Sequence, residues 1–110
     1  DQLNQAVLNV LQNAISAIEN QGEIFISMRQ GEGEVVLSIG DTGCGIAESD
    51  LPRVFEPFFT TKEVGKGTGL GLAITYKIVV ESHHGKIDVK QREGGGTEVI
   101  MTLPLTQNGQ

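Results

Sequence analysis

The chain has 110 residues, 38% of them hydrophobic, with a formal net charge of −6 and a pI near 4.7. That length allows one domain with a modest core, and with sparse aromatics and no Trp the core must be built from Leu, Ile, Val and Ala. The acidic balance argues against non-specific nucleic-acid binding and against an anionic membrane surface, both of which draw on clustered Lys and Arg, and no apolar run approaches the roughly 20 residues that span a bilayer.

The chain opens on polar Asp1-Gln2, so no signal peptide is expected. It enters a helix abruptly, without Met or a leading element, which suggests a fragment of a longer protein. Cys44 is the only cysteine and has no internal disulfide partner, which suits a reducing, cytoplasmic compartment.

Leu3, Val7, Val10, Leu11, Ala14 and Ile18 recur at helical spacing and predict an amphipathic helix that ends near Asn20-Gln21-Gly22, with Gly22 as its stop. Ile24, Ile26 and Met28 alternate with Phe25 and Ser27 and predict a strand. A turn at Gly31-Glu32-Gly33 leads to a second strand, Val35 to Ile39. A short helix is predicted over Glu48 to Val54, capped by Ser49 or a neighbour. Residues 56–68 hold Pro57, Gly65 and Gly67 with little periodicity and read as a mobile loop. A helix follows from Gly69 to Ser82, buried through Leu72, Ile74, Ile78 and Val79. Lys86 to Gln91 is a strand and Glu93-Gly94-Gly95-Gly96 a turn. Thr97 to Leu103 is the last strand, stopped by Pro104, and a frayed polar tail runs from Thr106. Strands arriving as hairpins predict an α/β two-layer sandwich: a mixed, largely antiparallel sheet with the helices on one face.

Three segments carry the chemistry. The first helix has no charged side chain between Gln2 and Ile18, and Asn9 and Asn13 project from one face a turn apart. An amide oxygen can ligate a hard cation such as Mg²⁺ without adding full negative charge beside a polyphosphate; the alternative is a solvated amide face. In Asp41-Thr42-Gly43-Cys44-Gly45-Ile46 a strand-end carboxylate meets glycines that allow close approach to a flat ligand, with Ile46 as an apolar wall; Asp and Gly also suit an ordinary turn. Gly67-Thr68-Gly69-Leu70-Gly71-Leu72 precedes a helix, where glycine-exposed backbone N–H groups bind phosphate. It is neither a dinucleotide fingerprint, because Leu72 stands where the third Gly belongs, nor a Walker loop, because Lys66 is followed by Gly67. A glycine hinge is its rival reading. Between these segments Thr60, Thr61, Lys62 and Lys66 can reach phosphates. Phe55, Phe58 and Phe59 could anchor a lid, dock a partner or, for Phe55, form a satellite core. His83 and His84 sit at a helix end without metal-ligand spacing, and favour a structural role beside the helix dipole.

In this order the segments resemble the ATP-binding catalytic domain of sensor histidine kinases, within the wider Bergerat-fold group that includes DNA gyrase B, MutL and a heat-shock chaperone. Leu8-Asn9-Val10-Leu11-Gln12-Asn13-Ala14 resembles the asparagine box, residues 41–46 the first glycine box, Phe55-Glu56-Pro57-Phe58-Phe59 the phenylalanine box, and residues 67–72 the second glycine box. Gly96-Thr97 and Leu103-Pro104 also fit. The resemblance implies MgATP binding, with Asn13 on Mg²⁺ and Asn9 assisting near the phosphates. Asp41 would read the adenine amino group with Thr97 nearby through water, and Gly43, Gly45 and Ile46 would line the base pocket. Gly67, Thr68, Gly69, Leu70 and Gly71 would embrace the phosphates, with Leu72 closing the box, and residues 56–66 would form the ATP lid, including Thr60, Thr61, Lys62 and Lys66.

There are departures. Relatives that hydrolyse ATP place a glutamate where Asn9 stands, and without a positioned base attack by water should be slow. Many histidine kinases carry Lys and an aromatic where this chain has Ser16 and Ala17. The phosphoacceptor histidine, and the strand often seen before the asparagine box, have no counterpart in this chain. The expectation is a catalytic domain over 1–110 that passes the γ-phosphoryl group to a histidine on a separate dimerisation domain of the same protein. A response regulator then receives it, and the full-length protein is expected to be homodimeric. A Bergerat ATPase with lid-driven conformational change, or a nucleotide-binding docking module without catalysis, are the rivals.

Overall fold

The structure, a computed structural model, describes residues 2–18, 20–57 and 71–105. The expected loop beyond Pro57, the helix start at Gly69 and the tail from Thr106 lie outside the described residues.

Helix α1, Gln2–Ala17, follows the apolar periodicity. Ala6, Val10 and Ala14 are buried, and Leu3, Val7 and Leu11 pack half-buried against the core. Small residues at that spacing let α1 lie close to its neighbours. The helix stops at Ala17, before Gly22. Its end is fixed by other groups: Ile18 N bonds back to Ile15 O at 3.2 Å, and Ala17 O accepts from Cys44 N at 3.0 Å, so a terminal carbonyl is satisfied from the first glycine loop. Gly22 is therefore not the predicted stop. It is a close-packing position, where a Cβ would lie 2.7 Å from Thr42 Oγ1 and 2.8 Å from Ile18 Cγ2.

Strands β1, Ile24–Gly31, and β2, Glu34–Asp41, form a hairpin whose turn is Glu32-Gly33, with Gly33 at φ +71°. Strands β3, Lys86–Gln91, and β4, Thr97–Pro104, form a second. The sheet order is β1-β2-β4-β3 and all three pairings are antiparallel. Ile39 lies opposite Ile26 and Val99, and Met101 opposite Leu37 and Ile87. Alternation puts these side chains on one face, which the helices cover over β2, β3 and β4. The other face carries a polar row in which Ser38 Oγ donates to Glu98 Oε2 at 2.6 Å and Lys90 Nζ lies 3.8 Å from Glu98 Oε1. The result is the expected two-layer sandwich. Strand β1 extends past the helix layer, so Ile26 and Met28 remain 59% and 71% exposed despite facing the helix side. Pro104 ends β4 opposite Glu34, beyond the last β3 partner of β4, so its missing N–H costs no ladder bond there.

The short helix is a 3-10 helix, Glu48–Arg53, that runs through Pro52. Ala47, not Ser49, stands at its N-cap, with no side-chain cap; Asp50 N bonds to Ala47 O at 2.8 Å. Helix α2, Gly71–Tyr76, continues as a π-helical segment, Lys77–Ser82, and His83 N reaches Ile78 O at 3.1 Å. Ile78 and Val79 are buried as predicted, but Ile74 is 40% exposed. At 3.6 residues per turn Ile74 points roughly 200° around from Leu72. Thr75 takes the inward position instead and satisfies its hydroxyl on Gly71 O at 2.8 Å. No helix among the described residues is long and apolar enough to cross a membrane.

Candidate nucleotide-binding site

Asn9 is 9% exposed, and its Oδ1 accepts from Gln5 Nε2 at 3.2 Å. Its Nδ2 is buried without a hydrogen-bond partner among the described residues. An orphaned buried amide costs about 1–3 kcal/mol, and a fold keeps such a group where something else completes it. Asn13, one turn on, is half-buried, and its amide atoms lie 3.6 Å from where a Cβ on Gly71 would stand. The tertiary packing of α1 on α2 therefore sets the second asparagine against the first residue of α2.

Asp41 ends β2 and is buried, on the helix-side face with Ile39. Thr97 begins β4, also buried, on the same face as Val99. Gly40↔Glu98 is the neighbouring pair of the β2–β4 ladder, so Asp41 and Thr97 meet at one end of the sheet. Asp41 Oδ1 accepts from Gly43 N at 2.8 Å, an Asx turn that fixes the carboxylate rotamer. Its other oxygen has no hydrogen-bond partner among the described residues.

The loop that follows is held from the α1 side by Thr42 N to Glu23 O at 3.1 Å, Glu23 N to Thr42 Oγ1 at 2.9 Å, and Cys44 N to Ala17 O. Gly43 presses on the helix end, where a Cβ would lie 2.5 Å from Ala17 O. Gly43→Ala is expected to cost about 1–3 kcal/mol as an overpacking change and to displace the loop; a thermal melt alongside nucleotide titration checks both. Gly45 has φ +78°, a conformation that favours glycine. Ile46 is half-buried, and its carbonyl accepts from Gln91 Nε2 at 3.0 Å.

Asn9, Asn13 and Gly71 thus form one group, and Asp41, Gly43, Gly45, Ile46 and Thr97 another. Leu72 packs half-buried against the hydrophobic core. Thr60, Thr61, Lys62, Lys66, Gly67, Thr68, Gly69 and Leu70 lie outside the described residues. Phe55 packs against the core and its ring lies 5.2 Å from that of Tyr76 at 45°. Cys44 is exposed. The open depression lined by Ile18 and residues 20–23 does not include Asn9, Asn13 or Asp41. Sequence reasoning missed Gln5 and Gln91. Gln5 was legible as the residue one turn before Asn9, whereas nothing local marks Gln91, which is 45 positions from its partner.

The residues fit a nucleotide and Mg²⁺. Among the described residues no group of three His, Cys, Asp or Glu could cage a metal ion. Neutral amides on α1 suit Mg²⁺ that shares its coordination with phosphates and water, and the orphaned Asn9 amide is a polar group in want of a partner.

An open antiparallel sheet layered with helices, with these groups on α1 and at the ends of the central strands β2 and β4, matches the Bergerat fold of histidine kinase catalytic domains. Residues 1–107 match the family described as "Histidine kinase-, DNA gyrase B-, and HSP90-like ATPase", and the chain belongs to that family. It is 44% identical over its full length to sporulation kinase E of Bacillus subtilis (strain 168), covering 15% of that protein. It is 43% identical over 96% of its length to the sensor histidine kinase ZraS of Escherichia coli (strain K12), covering 22% of it. The catalytic domain of histidine kinase ThkA superposes with a TM-score of 0.86 at 38% identity, over 99% of this chain and 70% of that one. The chain therefore spans less than a quarter of the curated relatives named here.

Proposed function

We propose that this chain is the catalytic ATP-binding domain of a sensor histidine kinase in a two-component system. In this reading it binds MgATP and presents the γ-phosphoryl group to a histidine on a dimerisation domain of the same protein. The histidine ring nitrogen attacks the γ-phosphorus, the bond to the β-γ bridging oxygen breaks and ADP leaves. The phosphoryl group then passes to an aspartate of a response regulator. A homodimeric whole protein acting in the cytoplasm belongs to the same proposal. A ThkA structure in complex with the response regulator protein TrrA is similar to this chain, with a TM-score of 0.80 at 34% identity, and supports that partner class. The family match and the sensor histidine kinase relatives support the enzyme class.

The observation that carries the reading is the buried Asp41 at the end of β2, its second oxygen free of described partners, beside buried Thr97. A carboxylate oxygen there accepts from the purine amino group, while Gly43 N keeps the other oxygen and so fixes the direction of recognition. Gly43, Gly45 and Ile46 lie along the base. On α1, Asn13 would hold Mg²⁺ with Asn9 beside the phosphates. Mg²⁺, when bound, neutralises charge on the transferring group. Thr60, Thr61, Lys62, Lys66 and Gly67 to Gly71 are proposed as the phosphate and lid contacts. No carboxylate stands at Asn9 to activate water, which favours transfer over hydrolysis. Positioning and charge neutralisation are then the domain's contribution to rate.

The test combines this protein with its histidine-bearing dimerisation domain and labelled MgATP. Acid-labile, base-stable phosphate on the dimerisation domain is expected. Steady hydrolysis without phosphohistidine would instead make the chain an ATPase, and tight binding without either product a docking module. Asn13→Asp is expected to weaken MgATP by about tenfold or more through added negative charge beside the triphosphate. Unchanged affinity and transfer would remove Asn13 from the site.

A further inference from the structure

We propose that the tip of the β3–β4 hairpin is a positioning device for purine recognition: Gln91 and Gly96 set the Asp41–Ile46 loop without touching the nucleotide. The proposal rests on the nucleotide reading above and adds residues that reading does not use.

The loop is gripped from two sides. On the α1 side the hydrogen bonds end at Cys44 N. Beyond it, Gly45 has no side chain and sits at φ +78°, so the backbone there is intrinsically loose. The next described bonds belong to the 3-10 helix, which begins with Asp50 N to Ala47 O. Between these anchors the Ile46 carbonyl is fixed by Gln91 Nε2 at 3.0 Å. Gln91 ends β3, paired with Thr97, so it stands on the rigid sheet and reaches out to the loop.

Gly96 makes the second contact. A Cβ at Gly96 would collide with the Asp41 carbonyl and lie 2.9 Å from Thr42 Cα. The backbone of Gly96 is therefore the wall on which the Asp41 peptide rests. Its carbonyl also lies 3.5 Å from the Cβ position of Gly45. Gly94, Gly95 and Gly96 have φ of +90°, +115° and +97°, and three such glycines would be mobile unless tied down. They are tied. Arg92 N donates to Gly96 O and Gly95 N to Arg92 O, both at 3.0 Å. Arg92 Nη1 donates to Gly95 O at 3.2 Å, and its guanidinium carbon lies 4.5 Å from the centre of the Phe25 ring on β1. A braced glycine wall and one amide donor thus hold the backbone from which the Asp41 carboxylate and the Ile46 wall project. A shift of a few tenths of an ångström in that backbone alters recognition of the purine amino group more than it alters contact with the phosphates, which the asparagine and α2 group faces.

The test uses calorimetry on the chain with Mg-ADP and with Mg-inosine diphosphate, in which an oxo group replaces the purine amino group. Wild type is expected to prefer ADP. Gln91→Leu keeps the side-chain size and removes the donor; it is expected to lose about three- to tenfold in ADP affinity, the scale of one hydrogen bond, with inosine diphosphate nearly unchanged and an unshifted melt. Gln91→Lys restores a donor and should recover most of the preference. Gly96→Ala is expected to erase more of it. If Gly96→Ala does not fold, the Gln91 pair decides alone. An unchanged ADP preference in Gln91→Leu overturns the proposal. So does an equal loss for both nucleotides with a lowered melt, since that is a plain stability effect. A wild-type chain that binds both nucleotides alike removes the Asp41 reading itself, and this proposal with it.

Discussion

Asp41→Asn is expected to lower MgATP affinity by roughly 30- to 700-fold, equivalent to about 2–4 kcal/mol, while the domain stays folded. The asparagine keeps an acceptor for Gly43 N, which Asp41 Oδ1 holds at 2.8 Å, so the turn survives. Its amide nitrogen replaces the second carboxylate oxygen. In the proposed reading a donor would then face the purine amino group, and both donors would be left unpaired beside a buried residue. The expected melt is within a few degrees of wild type by the size of a single turn contact. Calorimetry with MgATP gives the decisive number: an affinity within threefold of wild type would mean that the adenine is read elsewhere.

Ile39→Ala is expected to destabilise the domain by about 3–4 kcal/mol, without any direct effect on the site. Ile39 is 1% exposed and lies between Ile26 and Val99 in the sheet, facing the helices. The substitution removes apolar contacts and leaves a cavity that flanking strands cannot close, because their spacing is set by the ladder. A loss of that size is a large share of the roughly 5–15 kcal/mol typical of a domain. The melting temperature should fall by about 10–20 °C at this chain length. Ile26→Ala is the control. Ile26 is its cross-strand neighbour and 59% exposed, so about 1 kcal/mol or less is expected. Equal losses in the two variants, measured by urea or thermal unfolding, would mean that β1 is covered by other parts of the molecule in solution.

The contrast between Ile26 and Ile39 shows where sequence reading stops. Both sit in predicted strands. Strand geometry puts successive side chains on opposite faces but does not say how far the helix layer extends over the sheet. The same holds for Ile74 and Thr75 on α2. Hydropathy favoured Ile74 inward, whereas packing put Thr75 there, and an internal bond from its hydroxyl to Gly71 O made the burial tolerable. Gly22 was read as a helix stop from local chemistry, yet it is required by Thr42, which lies across a strand pair.

The sequence by itself determined the elements and the motif order. An amphipathic, charge-free helix, two hairpins, a carboxylate closing a strand and two glycine runs are all written in neighbouring residues, whose propensities and spacing act over a few positions. The resemblance to histidine kinase catalytic domains followed from that order, and the family match and the ThkA superposition bear it out. Only the tertiary structure decided that Asn9 is buried with an orphaned amide, that Asn13 abuts Gly71, that Gly96 carries the Asp41 peptide and that Gln91 holds Ile46. Those contacts join residues far apart in the chain, and their geometry is set by how the helices seat on the sheet and how the hairpin tip folds over a strand end, neither of which any local pattern encodes.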